Sequence, residues 1–452
     1  MGEKHAVDGV DGVDAAGGAG EVRTRRSPEA ALSRRKLGFL AGAGLASLAL
    51  PGSAHAEAPA PTGLTAGFVS SAGPAGSPRS SDSARPTDSA RSSDSAGSDD
   101  PAPTALRAAF LGTYTTQPGG GTGIGLATYR PGRGELASTG VLPGIANPSY
   151  LALSPDRRTL YAVNEQTEGA VTAVRVGPGR PTELLGSRPA GGADPCHLSV
   201  HGRFLLSAHY TSGSVSVHPL GRDGAPGAVS DVVRHEGSGP DPERQEGPHA
   251  HQVVTDPAGR YVLAVDLGTD TVHTYRLDGR KGTLREMSRA SLRPGAGPRH
   301  LVFHPSGRYV YLVNELDSTL VVCAYEPRTG TLTPGKRQPT LPRGTVLNER
   351  NYPAGVIISA DGRFVYVSNR GHDSIAAFAV RRGGAELRPL SLTPSGGSYP
   401  RHIVLDPTGR LLFASNQKSG KVTTFRVDRE TGRLSSAGAA LESPVPVCVL
   451  PL

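Results

Sequence analysis

From residue 108 onward the chain alternates short apolar runs with Pro, Gly and Asp punctuation, and one unit of that text keeps returning. In "PRHLVFHPSGRYVYLVNEL" (298–316) the runs 301–303 and 309–313 are β-branched or aromatic, and His304-Pro305-Ser306-Gly307 separates them. This pattern predicts a β-hairpin, out along one strand and back along the next. Arg299 and Glu315 lie nearly symmetrically about the turn, so antiparallel pairing places them side by side at the hairpin's open end.

The unit recurs with leading prolines at 148, 195, 248, 298, 353 and 400, a period of 47 to 55 residues. A further step reaches Pro446 in the terminal "PVPVCVLPL", which has room for only the first strand of a unit. The missing strands are supplied by "AAFLGTYTT", beginning at Ala108. Each unit also carries a third strand, such as "TLVVCAYE", and then a Gly-x-Leu strand start, such as "RTGTL". Four short strands per roughly 40–50 residues is the pattern of propeller blades. The expected fold is all-β: a seven-bladed β-propeller of four-stranded antiparallel blades, the ring closed by pairing of N- and C-terminal strands. An open solenoid or a pair of sandwiches would not need the split seventh unit, whereas a closed ring does. No segment after residue 106 has the length and 3.6-residue period of a substantial helix.

In such a ring the start of each first strand and the end of each second strand face one central mouth. The residues there that differ from blade to blade are His251, Arg299, Glu315 and Arg370, with His197, His300, Arg401 and His402 nearby. A purely structural residue would repeat, as the turn Gly-Arg and the strand-end asparagines do. Those asparagines are expected to cap the turn that follows.

The N-terminal quarter reads differently. Residues 1–56 include twin arginines (Arg34, Arg35), an apolar run over 37–50 and Ala54-His55-Ala56 as a cleavage site. That order resembles a twin-arginine export signal and predicts an extracellular or cell-wall-associated protein with no stable membrane insertion after cleavage. Residues 57–106, rich in Ala, Ser, Pro and Asp, lack the apolar content to fold and are expected to be a disordered linker to the propeller at 107–452. The net charge of +8 is spread along the chain, without the contiguous basic face that nucleic-acid binding would need. Cys196, Cys323 and Cys448 fall in expected strands and read as buried and inert. "GGGTGIG" (119–125) has no helix behind it and reads as a blade turn, not a phosphate loop.

"NPSYLALSPD", "GPHAHQVV", "GPRHLVFHP", "NELDST" and "SNRGHDSI" together resemble the lactonase family of seven-bladed propellers, over essentially all of 108–452. That family includes one type of 6-phosphogluconolactonase and a fungal carboxy-muconate cycloisomerase. The resemblance implies an active site at His251 (with His249 close by), Arg299, Glu315 and Arg370, the four residues the ring comparison singles out. Two departures are evident: blade 2 has a shorter turn and His209 in place of Asn, and the N-terminal blade has Gly-rich "GIGLATY".

The implied activity is hydrolysis of a lactone by an exported, monomeric, metal- and cofactor-independent carboxylic ester hydrolase. Glu315 or His251 would serve as general base and Arg299 or Arg370 would stabilise the oxyanion. The other arginine, with His197, His249, His300, Arg401 or His402, would bind a small anionic lactone or sugar derivative. Glu315 could instead form an ordinary salt bridge with Arg299. A non-catalytic ligand-binding propeller and a lactonising cycloisomerase are the alternatives. No G-x-S-x-G motif supports a serine nucleophile.

Overall fold

The computed structural model describes residues 105–178 and 180–452, so the expected export signal and nearly all of the expected linker lie outside the described residues. The described chain forms seven antiparallel sheets, and apart from one 3₁₀ turn at Arg382–Gly384 its regular elements are strands. None of its helices is long and apolar enough to cross a membrane. Blades 1 to 6 follow chain order, with inner strands Leu151–Leu153, Pro195–His201, Ala250–Thr255, Pro298–Phe303, Tyr352–Ile358 and Pro400–Leu405. Blade 7 is the split one: Pro446–Pro451 is its inner strand, and Arg107–Thr113, Gly123–Tyr129 and Leu136–Pro143 complete it. Ala109 pairs with Pro451 and Leu111 with Val449, so the two termini close the ring. Each inner strand abuts the inner strands of both neighbouring blades, from blade 1 round to blade 7 and back.

The continuous apolar runs follow from this arrangement. A blade is a sheet buried on both faces, so successive residues point into different interfaces and both must be apolar. Val310 and Leu312 pack toward blade 3, while Tyr311 and Val313 pack toward blade 5. Among the described residues the buried apolar side chains form seven clusters, each spanning one blade–blade interface. Tyrosines on the second strands tie the interfaces further: Tyr311 Oη donates to the Gly384 carbonyl at 2.9 Å, and Tyr366 Oη to that of Gly432 at 3.1 Å.

The hairpin of residues 298–314 is as expected, with Gly307 at φ +67° donating its N–H to the His304 carbonyl at 2.8 Å. That left-handed conformation is why glycine stands there. The strand-end asparagines are structural: Asn314 Nδ2 donates to Thr319 Oγ1 at 2.9 Å, and Asn369 Nδ2 reaches Ser374 Oγ at 3.3 Å. His209 does the same work in blade 2, its Nδ1 2.9 Å from Ser214 Oγ and its Nε2 2.9 Å from Ser207 Oγ.

Two details differ from the expectation. The outer edge of blade 6 is in two pieces, Leu434–Ser436 and Leu441–Glu442, both pairing with Lys421–Val427. "GGGTGIG" is a turn only as far as Thr122, and its last three residues begin the strand Gly123–Tyr129. Gly125 sits opposite Leu111, where a Cβ would come within 3.0 Å of the leucine Cβ, so close strand approach accounts for its small size.

Candidate active site

The inner strands of blades 2 to 6 all begin with a β-bulge. The register slips between Pro195 and His197, Ala250 and Gln252, Pro298 and His300, Pro353 and Val356, and Pro400 and His402. The unpaired residues are Cys196, His251, Arg299, Ala354-Gly355 and Arg401. A bulge breaks the two-residue alternation and re-aims a side chain. Two consecutive residues can then both reach other blades: Arg299 Nη1 donates to the Ala354 carbonyl of blade 5 at 2.9 Å. The His300 ring, next in sequence, lies 5.5 Å from that of His197 and 5.2 Å from that of His251.

Glu315 is the hub. Its Oε2 is 3.1 Å from Arg299 Nε and 2.6 Å from Arg370 Nη2, and its Oε1 is 2.6 Å from Arg244 Nη2. Burial alone would oppose ionisation of this carboxyl, but Arg370, Arg299 and Arg244 outweigh it and hold the pKa far below the usual carboxylate range. Burial, with Arg370 and Arg401 as like-charged neighbours, lowers the pKa of Arg299 to about 9. The Arg299 Nε and Arg370 Nη2 contacts with Glu315 are ion pairs without hydrogen-bond alignment, and neither atom has a hydrogen-bond partner among the described residues. Arg370 is itself anchored, its Nε donating to the Tyr352 carbonyl at 2.9 Å and its guanidinium 5.1 Å from the Tyr399 ring centroid.

His251 lies beside this hub, with its Nδ1 3.8 Å from Cys196 Sγ. Burial, then Arg299, keeps it neutral, with a pKa well below the ordinary value. Cys196 is buried and its thiol pKa is pushed up, first by burial, so it stays protonated as expected. His249 is buried close by, its Nδ1 bonded to the Tyr210 carbonyl at 2.9 Å and its ring stacked 4.4 Å from that of Tyr210.

Adjoining His251 is a cluster of neutral rings. Tyr150 is 4.2 Å from His197, 5.9 Å from His402 and 6.4 Å from His300, centroid to centroid. Burial lowers the pKa of His197 to about 3 and that of His402 to about 4, and holds His300 well below its ordinary value. His300 Nε2 is buried without a hydrogen-bond partner among the described residues. Arg401 forms a second, looser charge pair, Nη2 3.7 Å from Glu165 Oε1, and Glu165 also accepts hydrogen bonds from Tyr114 Oη at 2.8 Å and from Ser149 Oγ.

The structure therefore brings His251, Arg299, Glu315 and Arg370 together and sets His197, His300 and His402 in an adjoining ring cluster. It adds Arg244 and Glu165, which the sequence comparison did not select. Glu165 ends the second strand of blade 1 as Glu315 does in blade 4, a parallel visible in the repeat. Arg244 lies in an inter-blade loop outside the repeat, where alignment of blades gives no signal.

This arrangement has known counterparts. The profile of the family described as "Lactonase, 7-bladed beta-propeller" matches residues 108–451. The 6-phosphogluconolactonase of Bacillus subtilis is 37% identical over 345 residues, covering 75% of this chain and 97% of that protein. The Pseudomonas aeruginosa periplasmic gluconolactonase superposes with a TM-score of 0.72 at 31% identity, covering 77% of this chain and 99% of that one. A Lactobacillus plantarum protein superposes with a TM-score of 0.72 at 33% identity, covering 77% of this chain and all of that one (100%). The chain belongs to the lactonase family of seven-bladed β-propellers.

Proposed function

We propose that this protein is an exported lactonase that opens the ring of an anionic sugar lactone at the central mouth of the propeller. The observation that carries this reading is the Glu315 hub. Three guanidiniums converge on one carboxylate, two of them with N–H groups that lack an acceptor among the described residues, beside a neutral imidazole.

Ester hydrolysis needs a base for water and donors for the developing oxyanion. Glu315 is a poor base, because its charge is shared among three cations and its pKa is held down. His251 is neutral and keeps a lone pair, so it takes the role. Water attacks the lactone carbonyl carbon while His251 accepts its proton. The carbonyl electrons move to oxygen, where Arg299 Nε and Arg370 Nη2 receive the oxyanion. Collapse breaks the ring C–O bond, and His251 returns the proton to the leaving alkoxide, giving the open-chain hydroxy acid. No step calls on a metal. Glu315 acts as the counter-charge that keeps mutually repelling guanidiniums in one place.

The buried positive excess favours a phosphorylated sugar lactone, in keeping with the Bacillus subtilis relative's name. The Pseudomonas aeruginosa relative, named a periplasmic gluconolactonase, supports reaction outside the cytoplasm and makes an unphosphorylated gluconolactone the second reading. Hydrolysis assays of the purified full-length chain on 6-phosphogluconolactone, gluconolactone and an aliphatic lactone test the proposal. Turnover lowered roughly 100- to 10,000-fold by His251→Asn is the expected result. No turnover on any lactone would turn the assignment toward a non-catalytic ligand-binding propeller.

A further inference from the structure

We propose that Arg244 is the specificity residue of the mouth, the group that binds a phosphate-class substituent carried by the lactone. This deepens the lactonase reading, on which it rests, by stating which side chain reads which part of the substrate.

Arg244 does not come from a blade's inner strand. It projects from the loop between residues 235 and 249, which joins blade 2 to blade 3. Its Nη2 contacts both Glu315 Oε1 at 2.6 Å and Tyr210 Oη at 3.2 Å, and its guanidinium lies 5.5 Å from the Tyr352 ring centroid. Its side chain is 27% exposed, against 3% for Arg299 and 5% for Arg370. Of the three arginines on Glu315, it is the one that also faces solvent. Its Nε and Nη1 make no hydrogen bond to the described residues, so one edge of the planar fork is open to an incoming oxyanion.

The loop is built to hold this position. Asp266, fully buried, clasps both of its ends: Oδ2 is 2.5 Å from His235 Nδ1, and Oδ1 accepts the His249 backbone N–H at 2.9 Å. Gln245, next to Arg244 and fully buried, donates from Nε2 to the Leu267 carbonyl at 2.8 Å. Near the loop's tip, Asp241 Oδ2 pairs with Arg350 Nη1 at 3.2 Å, and Arg350 Nη2 donates to the Leu316 carbonyl at 3.0 Å. A rigid loop delivers a charged fork with little ordering cost on binding.

Charge favours phosphate. Three guanidiniums against one carboxylate leave two positive charges (3 − 1 = 2) beside neutral His251. A phosphate monoester, close to a dianion at neutral pH, matches that excess. An uncharged sugar lactone would leave it unmatched.

The test compares the full-length wild type, Arg244→Gln and Arg244→Lys on 6-phosphogluconolactone and gluconolactone. Calorimetric affinities for the ring-opened products, 6-phosphogluconate and gluconate, are measured alongside. The wild type is expected to prefer the phosphorylated lactone. Arg244→Gln should reduce that preference at least about tenfold, mainly through KM, and Arg244→Lys should reduce it partially, keeping charge but losing the fork. An unchanged preference overturns the proposal even if both rates fall, because Arg244 would then only position Glu315. A wild type with no preference overturns it too. If neither lactone is hydrolysed, the lactonase reading fails, and calorimetry still decides on Arg244. Selective loss of 6-phosphogluconate affinity in the variant upholds its role, and equal affinities overturn it. Should Arg244→Gln not fold, Arg244→Lys carries the same comparison, and an unchanged preference there overturns the proposal.

Discussion

Arg299 and Glu315 close the open end of a single hairpin, Nε to Oε2 at 3.1 Å, yet they do not form an isolated salt bridge. The same Glu315 oxygen is 2.6 Å from Arg370 of the next blade, and the other is 2.6 Å from Arg244. A lone pair would have satisfied a structural need. Two more guanidiniums, buried or half-buried, create a positive excess whose desolvation costs free energy without a matching anion. Such an excess makes physical sense where a negative substrate or transition state is to be held.

Replacing Glu315 with Gln keeps the shape and removes the counter-charge. The three arginines would then repel one another and drift from the carbonyl oxygen's position. We expect kcat to fall by about 100-fold or more, the scale of losing an oxyanion donor. The melting temperature should fall as well, because breaking a buried charge pair costs roughly 3–5 kcal/mol. Steady-state kinetics with near wild-type kcat would sink the hub assignment.

The tyrosine ties across blades make a prediction independent of the site. Tyr311→Phe removes the 2.9 Å hydrogen bond to the Gly384 carbonyl while keeping the ring in its apolar cluster. The orphaned carbonyl should cost about 1–2 kcal/mol of stability, with kcat and KM unchanged. Denaturant unfolding checks this, and a midpoint equal to wild type would show that the carbonyl finds another partner.

Most of the ring could be read from the sequence because a blade is a sheet buried on both faces, and a turn ending in Gly-Arg, or Arg-Arg in the first unit, marks each unit's middle. The closing of blade 7 was visible too: "PVPVCVLPL" reads as a first strand and "AAFLGTYTT" as the strand it pairs with. Arg299, Glu315, His251 and Arg370 stood out as charged or titratable residues at the ends of the repeat, where most blades carry something else. The bulges could not be seen. Nothing in "PRH" says that Pro298 pairs with Asn314 and His300 with Val313, leaving Arg299 unpaired between them. Arg244 was hidden because its place depends on Asp266 clasping both ends of an irregular loop, a relation between distant residues that no local period encodes. Relative basicity was equally out of reach: Glu315 and His251 were both reasonable bases until burial and three guanidiniums distinguished them.

The buried imidazole cluster should make the fold acid-sensitive earlier than its carboxylates would. His197 has a folded pKa of about 3, set by burial first and then by His402 and Arg299, against an unfolded value near 6.5. Below pH 6.5 the unfolded chain takes up a proton that the folded ring resists, so stability falls as pH drops from 6.5 toward the folded value. His402 and His300 act in the same direction. Each full unit between folded and unfolded pKa is worth about 1.4 kcal/mol at most. Urea midpoints measured between pH 7 and 4 should fall over this range, and His197→Phe should flatten the slope. An identical slope in the variant would mean that His197 is not among the residues responsible.

The base assignment predicts where the acid limb of catalysis lies. If His251 takes the proton from water, it must be neutral before reaction, and kcat/KM falls as pH drops through its pKa. Burial first, then Arg299, pushes that pKa well below the ordinary 6.5. Activity should therefore hold through pH 6.5 and decline only in more acid solution. His251→Asn should cost roughly 100- to 10,000-fold in kcat and abolish that limb. Glu315→Gln removes charge but leaves an imidazole to titrate, so its residual activity should keep an acid limb, displaced to lower pH. Losing the carboxylate alone would lower the His251 pKa, since Glu315 favours the imidazolium. A limb that vanishes in Glu315→Gln and survives in His251→Asn would reverse the two roles.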